Sequence, residues 1–494
     1  MNDRIRRVGM ALLVLFALLV GQLTYLQVVS ADRLANHPGN VRQVIRDYAA
    51  PRGPILASGE EVLARSVEVD TEFRFRRRYP TDELFAHVAG YFSFTFGATG
   101  VEKEYHEALS GRLESIQLRN IGDLLIGKEP TGTVVLTLRQ DIQETAREAL
   151  AGRRGAVVAL DPSTGAVLGM YSEPSFDPGP LASHDQTEVR DHWNRLTEQE
   201  GAPLLARAWR EVYPPGSTFK IVTAAVALEQ EKTSPDQSYP VRRELDLPLT
   251  DATIGNFGGA SCGGSLVDSF RRSCNTTFAQ IGLELGEDFI AGMHDFGIDE
   301  APPLDEVPRA VAGNVPAEGS FEREAPRFAQ AGIGQGPVAV TPLHMALVAS
   351  AIANDGVIMR PHVMQEIRDV DGQVVERFDP ERWRRAVSAE TAEIVRSMMV
   401  EVVAAGTGTA AQIPGVQVAG KTGTAQTGGD NDPHAWFVAF APADDPQVAV
   451  AVVVENGGEL GSEATGGRVA APVAKAVIEA VLAGGSPGES DDDG

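Results

Sequence analysis

Lysine is scarce in this 494-residue chain, with six lysines against an arginine-dominated basic complement. Cysteine is rarer still, and two cysteines exclude a disulfide-rich scaffold and any Cys-cluster zinc site. The nine histidines show no His-Glu-x-x-His or similar ligand spacing, so neither a metal nor another cofactor is implied. Positive charge is also in deficit. A formal net charge of −25 argues against nucleic acid as a partner, because a phosphate-binding protein would carry a basic face. No internal repeat period is visible, which excludes solenoid and propeller architectures.

One long apolar run is present. Val8 to Val29 carries no charge and follows Arg4, Arg6 and Arg7. About 20 apolar residues suffice to cross a bilayer as a helix, and the arginines ahead of it should stay cytoplasmic. The expectation is a single-pass cell-membrane anchor, with everything after about Ser30 outside. A cleaved signal peptide is the alternative, although its apolar core is usually shorter.

Beyond the anchor, residues 31 to about 135 form a mixed segment. Arg52-Gly53-Pro54-Ile55 reads as a turn before a short strand, and Gly97–Gly111 as a turn before a short helix. From about Thr133 the pattern changes to strand, then amphipathic helix, then a hairpin folded at Asp161–Gly165. Later helices are expected around 217–230, 268–285, 341–354 and 389–405, and strands around 416–420, 434–441 and 447–455. Helices in the middle and strands gathered late suggest an α/β sandwich closed by antiparallel strands rather than βαβ repeats. The tail, 484–494, is rich in Gly, Ser and Asp and reads as disordered.

Two of the six lysines stand in motifs. Lys220 closes Ser217-Thr218-Phe219-Lys220, and Lys421 opens Lys421-Thr422-Gly423-Thr424, with Ser273-Cys274-Asn275 between them. A Ser three residues before a Lys is expected roughly 0.3 times by chance here, and a Lys-(Ser/Thr)-Gly triplet roughly 0.07 times. The ordered trio is therefore the signal. Pro214-Pro215-Gly216 puts Ser217 at or near a helix N-terminus, with Lys220 one turn on along the same face. A serine hydroxyl needs an adjacent base, and Lys220 can be that base only when neutral. Read alone, Ser273 and Asn275 suit a helix cap equally well. Lys421 follows a strand-like stretch whose edge could pair with an extended peptide, and Gly423 leaves room for close approach.

Together these are the three motifs of the penicilloyl serine transferases, which comprise serine β-lactamases and penicillin-binding proteins. With YPPGSTFK, SCNTTF, GIGQG at 332–336, GKTGTAQ, HAWFVAFAP and ATGGRVAAPV, the chain resembles a class B penicillin-binding protein of the actinobacterial A type, from the anchor to about Leu482. The resemblance implies a penicillin-binding protein/serine β-lactamase-like fold, an antiparallel sheet flanked by helices. It divides the chain into a cytoplasmic N-terminus (1–7), a transmembrane helix (8–29), a non-catalytic pedestal or dimerisation-type domain (30–135), a transpeptidase domain (136–483) and the acidic tail.

The resemblance also implies roles. Ser217 would be acylated, Lys220 its base, Ser273 a proton shuttle and Asn275 the holder of the donor amide. Lys421 and Thr422 would engage the terminal carboxylate, and the backbone N–H groups of Ser217 and Thr424 the oxyanion. The implied reaction is D,D-transpeptidation of peptidoglycan stem peptides, with β-lactams as acylating inhibitors and a separate membrane glycan polymerase as partner. A D,D-carboxypeptidase, a serine β-lactamase or a silent β-lactam receptor are the alternatives, and no Glu-x-x-Leu-Asn string of the β-lactamase kind lies between Ser273 and Lys421. The middle residue of the second motif is Cys274, twelve residues after Cys262 in an oxidising compartment. A Cys262–Cys274 disulfide is expected there, with a buried free thiol as the alternative.

Overall fold

The computed structural model describes residues 2–26, 30, 48–71, 73–119, 131–428 and 431–484. The chain divides into two compact units, one of residues up to Pro51 with Val67–Arg76, the other of Arg52–Ser66 and everything from Arg77 onward. In the first unit, helix α1 spans Asn2–Thr24. Its stretch Arg4–Thr24 covers 21 residues at a mean hydropathy of 1.9, long and apolar enough to cross a membrane. It begins before Val8 and so takes in the three arginines. The expected disordered tail lies outside the described residues, apart from Gly484.

Strands β1 (Ile55–Leu56), β2 (Val62–Glu68), β3 (Phe75–Arg78) and β4 (Thr133–Leu136) precede helix α2 (Gln140–Leu150). The hairpin β5 (Gly155–Leu160) and β6 (Val167–Glu173) follows, then helices α3 (Lys220–Glu229), α4 (Leu266–Arg271), α5 (Asn275–Leu285) and α6 (Pro342–Ala353). A second hairpin, β7 (Met364–Arg368) and β8 (Val374–Arg377), leads to α7 (Ala389–Ala405). Strands β9 (Ala419–Ala425), β10 (His434–Ala441) and β11 (Val448–Val454) and helix α8 (Gly466–Ala483) close the chain.

Strand order in the central sheet is β9-β10-β11-β5-β6, antiparallel throughout, so the first hairpin and the last three strands share one sheet. Every residue of β5 and β11 is buried. Both faces are covered, by α6 on one side and by α2 and α8 on the other. That explains why VAVAVVV shows no polar alternation. Helix α6 is apolar all round for the same reason, and Thr341 with His344 forms the capping box that starts it.

The smaller sheet has the order β8-β7-β4-β1-β2-β3. Strand β4 runs parallel to β1 and antiparallel to β7, so a hairpin from residues 364–377 extends a sheet begun before residue 70. Beside this sheet a buried ionic cluster ties Arg52 to its surroundings. Its guanidinium holds Glu102 Oε2 at 2.9 Å, while Arg77 Nε holds Glu102 Oε1 at 2.5 Å and Arg77 Nη1 donates to the carbonyl oxygen of Gly53 at 2.9 Å. Arg52, Arg77 and Glu102 are all buried.

Candidate active site

The turn carrying Ser217 is shaped by glycine. Gly216 has φ 55°, and a Cβ there would sit 2.6 Å from Thr424 O, which only glycine tolerates. Gly216 N donates to Gly334 O at 2.8 Å, so the Gly-rich 332–336 segment underlies this turn. Residues Gly216–Phe219 form a 3-10 turn that runs directly into α3. Ser217 is half-buried, and Lys220, one turn further on, is fully buried.

The expected single helix over 268–285 is broken. α4 ends at Arg271, Ser273 takes φ 60°, and α5 starts at Asn275. A non-glycine residue in the left-handed region costs on the order of 1 kcal/mol, and such strain gathers at functional sites. Neither Ser273 nor Asn275 caps a helix by its side chain; Cys274 is the N-cap residue and makes no side-chain cap bond. Lys220 Nζ donates instead to Ser273 O at 2.8 Å, Ser273 Oγ at 3.2 Å and Asn275 Oδ1 at 2.8 Å. Asn275 Nδ2 donates to Gly255 O at 3.0 Å, so both ends of the carboxamide are held. Behind it, Cys274 is joined to Cys262 in a disulfide with Cα atoms 5.4 Å apart, and no free cysteine remains. Asn256 Oδ1 accepts from Thr276 N at 3.1 Å, a third tie between the 255–262 loop and the start of α5.

The third motif lies inside a strand rather than after one. The local pattern ends the strand at Gly420, but β9 runs from Ala419 to Ala425 because Lys421 to Thr424 pair with Val438 to Ala435 of β10. β9 is the edge strand of its sheet. Lys421 Nζ donates to Ser273 Oγ at 2.9 Å and to Thr422 O at 3.0 Å. A Cβ on Gly423 would meet Pro215 O and Thr218 Cγ2, each at 2.9 Å, so glycine lets the Ser217 turn lie against the strand. Strand alternation sends Thr422 and Thr424 off the face opposite to Lys421. The Thr422 hydroxyl lies 2.6 Å from that of Thr407, a residue the sequence motifs did not single out.

Both motif lysines are fully buried, and among the described residues neither pairs with a carboxylate. Burial, and then the neighbouring Lys421, pull the Lys220 ammonium well below its ordinary value. Burial alone pulls Lys421 down to about 7. Water can no longer stabilise the charged form of either. The site can therefore hold one lysine neutral beside another that titrates near neutrality, with a serine hydroxyl bridging them. Among the described residues no group of three or more His, Cys, Asp or Glu side chains is placed to hold a metal ion.

Residues 155–479 match the family of the penicillin-binding protein transpeptidase domain, and residues 52–135 match the penicillin-binding protein A dimerisation domain. The chain is 42% identical to the peptidoglycan D,D-transpeptidase PbpA of Mycolicibacterium smegmatis, over 98% of this chain and 100% of that protein. It is 40% identical to PbpA of Mycobacterium tuberculosis over the same shares. The ceftriaxone acyl-enzyme structure of penicillin-binding protein A from M. tuberculosis superposes with a TM-score of 0.83 at 38% identity, covering 89% of this chain and 100% of that one. Its penicillin G acyl-enzyme structure superposes with a TM-score of 0.80 at 39% identity, covering 88% and 100%.

Proposed function

This chain belongs to the class B penicillin-binding proteins, the serine D,D-transpeptidases of peptidoglycan that lack a glycosyltransferase domain, and we propose how its own residues perform that reaction. Ser217 attacks the carbonyl of the D-Ala-D-Ala amide of a stem peptide. Neutral Lys220 takes the Ser217 proton. The backbone N–H groups of Ser217 and Thr424 hold the oxyanion, helped by the close approach of Gly216 to Thr424 O. Ser273 relays a proton to the departing D-Ala amine, and Asn275 holds the donor's amide. The donor lies along the free edge of β9, its terminal carboxylate engaged by Lys421 and Thr422. An amine from a second stem peptide then attacks the acyl-enzyme, releasing Ser217 and forming the cross-link.

The observation that carries this assignment is the Ser273 hydroxyl, placed 3.2 Å from Lys220 Nζ and 2.9 Å from Lys421 Nζ. A proton can pass between the three groups without side-chain rearrangement. Helix α1 serves as an uncleaved single-pass anchor, with the catalytic residues outside the cytoplasm. Residues 30–135 act as a non-catalytic pedestal for the transpeptidase domain, and a separate membrane polymerase supplies the glycan strands.

Labelled benzylpenicillin on the full-length protein in detergent tests the assignment. The expected result is a stable adduct on the peptide containing Ser217, absent in Ser217→Ala. Turnover of the adduct within seconds would favour a β-lactamase, and no adduct at all a silent receptor. Release of D-Ala from a donor peptide without cross-linking to an added amine acceptor would favour a carboxypeptidase.

A further inference from the structure

Thr422 reaches the face of β9 away from Lys421 and is almost wholly buried, yet among the described residues its hydroxyl meets no carboxylate or carbonyl. Among the described residues its partner is the hydroxyl of Thr407, at 2.6 Å. Thr407 is exposed at the turn that follows α7. That turn is held on both sides of it, because Gly406 N and Gly408 N both donate to Val402 O, at 3.1 and 3.0 Å. From the other direction α8 closes on the same spot. A Cβ on Gly467 would lie 2.5 Å from Thr407 O and 3.6 Å from Thr422 Cγ2, so glycine is needed for the three segments to meet. The result is a short hydroxyl pair in a fixed frame, with Thr407 exposed and Thr422 retaining a small exposed fraction.

A hydroxyl has one proton to give. If Thr422 spent it on Thr407, it would present only oxygen lone pairs to an approaching anion. If Thr407 donates to Thr422 instead, the Thr422 proton is free to point at a substrate carboxylate. We infer that Thr407 is a positioning residue for carboxylate recognition, whose hydroxyl donates to Thr422 Oγ1 and thereby turns the Thr422 proton toward the donor's terminal carboxylate. This rests on the assignment of Thr422 as a carboxylate-binding group. The same chemistry applies to the carboxylate of a penicillin. A hydrogen bond to a charged acceptor is among the stronger ones a site can make, so orienting its donor has a measurable effect.

The test compares acylation efficiency, k2/K, of the full-length protein by benzylpenicillin and by its methyl ester, which lacks the anionic carboxylate. Thr407→Val is expected to lower k2/K for the acid about tenfold and for the ester less than twofold. Thr407→Ser, which keeps the hydroxyl, should restore the acid-to-ester ratio. Thr422→Val should show the same selective loss, and the double variant should be no worse than Thr422→Val alone. Melting temperatures confirm that each variant is folded, with Thr407→Ala as a second removal of the hydroxyl should Thr407→Val fold poorly. Equal loss for acid and ester in Thr407→Val would overturn the inference in favour of a purely structural contact. No loss, or additive losses in the double variant, would overturn it as well, the latter by showing that Thr407 acts independently of Thr422. An unchanged acid-to-ester ratio in Thr422→Val would instead overturn the assignment on which the inference stands.

Discussion

Lys220 and Lys421 converge on one acceptor, the hydroxyl of Ser273, at 3.2 and 2.9 Å, and neither has a carboxylate to balance its charge among the described residues. Two buried ammonium groups on a shared oxygen cannot both keep their protons cheaply, so the pair titrates as a unit. Lys220 is pulled down by burial and by its neighbour, and in the proposed mechanism it is the base and Lys421 the cation. Replacing each by arginine separates these jobs. Lys220→Arg is expected to lower acylation about 1000-fold, within the usual range for loss of a general base, because a guanidinium does not release its proton. Lys421→Arg keeps a charge on β9 and should lose about ten- to a hundredfold, mostly in binding. Penicillin labelling with time decides it, and equal, complete loss in both folded variants would refute the division.

The same division fixes a pH profile. In the proposed division the productive free enzyme has Lys220 neutral and Lys421 charged. Efficiency should climb as pH rises through the strongly lowered Lys220 value, then fall as Lys421, held at about 7 by burial, loses its proton. In Lys421→Arg the alkaline fall should vanish, since arginine stays charged across the range. Stopped-flow k2/K for benzylpenicillin across a pH series that spans both limbs measures this, because k2/K reports groups of the free enzyme. An alkaline limb that persists unchanged in Lys421→Arg would assign it to another group.

Much of this site is legible in the amino-acid sequence alone. Ser217, Lys220, Ser273, Asn275 and Lys421 stand in short motifs, and the helices expected around 341–354 and 389–405 match α6 and α7 closely. What local patterns do not reveal depends on distant partners. The strand containing Lys421 extends to Ala425 only because β10 pairs with it, whereas Gly420 followed by lysine reads locally as a strand end. Ser273, Cys274, Asn275, Thr276 and Thr277 are weak helix formers that permit a break, but local sequence does not say which residue takes it. The φ of 60° at Ser273 accompanies bonds to Lys220 and Lys421, 53 and 148 residues away in the chain. Thr407 carries no motif of its own, and its hydroxyl gains meaning only beside Thr422. The hairpin β7-β8 likewise joins the smaller sheet by pairing with β4 across more than 200 residues of intervening chain, which no local pattern announces.

The buried cluster at Arg52 makes a stability prediction. Burial pushes the Glu102 carboxyl up, but Arg77 and Arg52 outweigh it and hold the group below its usual value. Its contribution is therefore fully present above about pH 4.5, the ordinary carboxylate value, and is lost as pH falls through the lowered one. Glu102→Gln leaves two guanidiniums buried with only a neutral acceptor and should cost about 3–5 kcal/mol. Urea denaturation at pH 7 measures this. The deficit should shrink in acid, where the native carboxyl also loses its charge, and a loss below about 1 kcal/mol at pH 7 would mean the cluster is better solvated than its burial implies.

The Cys262–Cys274 disulfide closes a loop of twelve residues directly behind Ser273. A loop of that size stabilises by about 2–3 kcal/mol through the unfolded chain. Its other effect is local. Gly255, Asn256 and Cys262 all hold the start of α5, through Asn275, Thr276 and Cys274. Reduction frees one of these three ties, and the left-handed Ser273 is the residue with strain to release. Cys262→Ser with Cys274→Ser is expected to lower the urea midpoint and to slow acylation about five- to tenfold, with native circular dichroism retained. Alkylation followed by intact-mass measurement should find no free thiol before reduction and two after it. Two alkylated cysteines without reductant would contradict the bond itself, whereas normal acylation in a destabilised double variant would show that the remaining ties suffice to position Ser273.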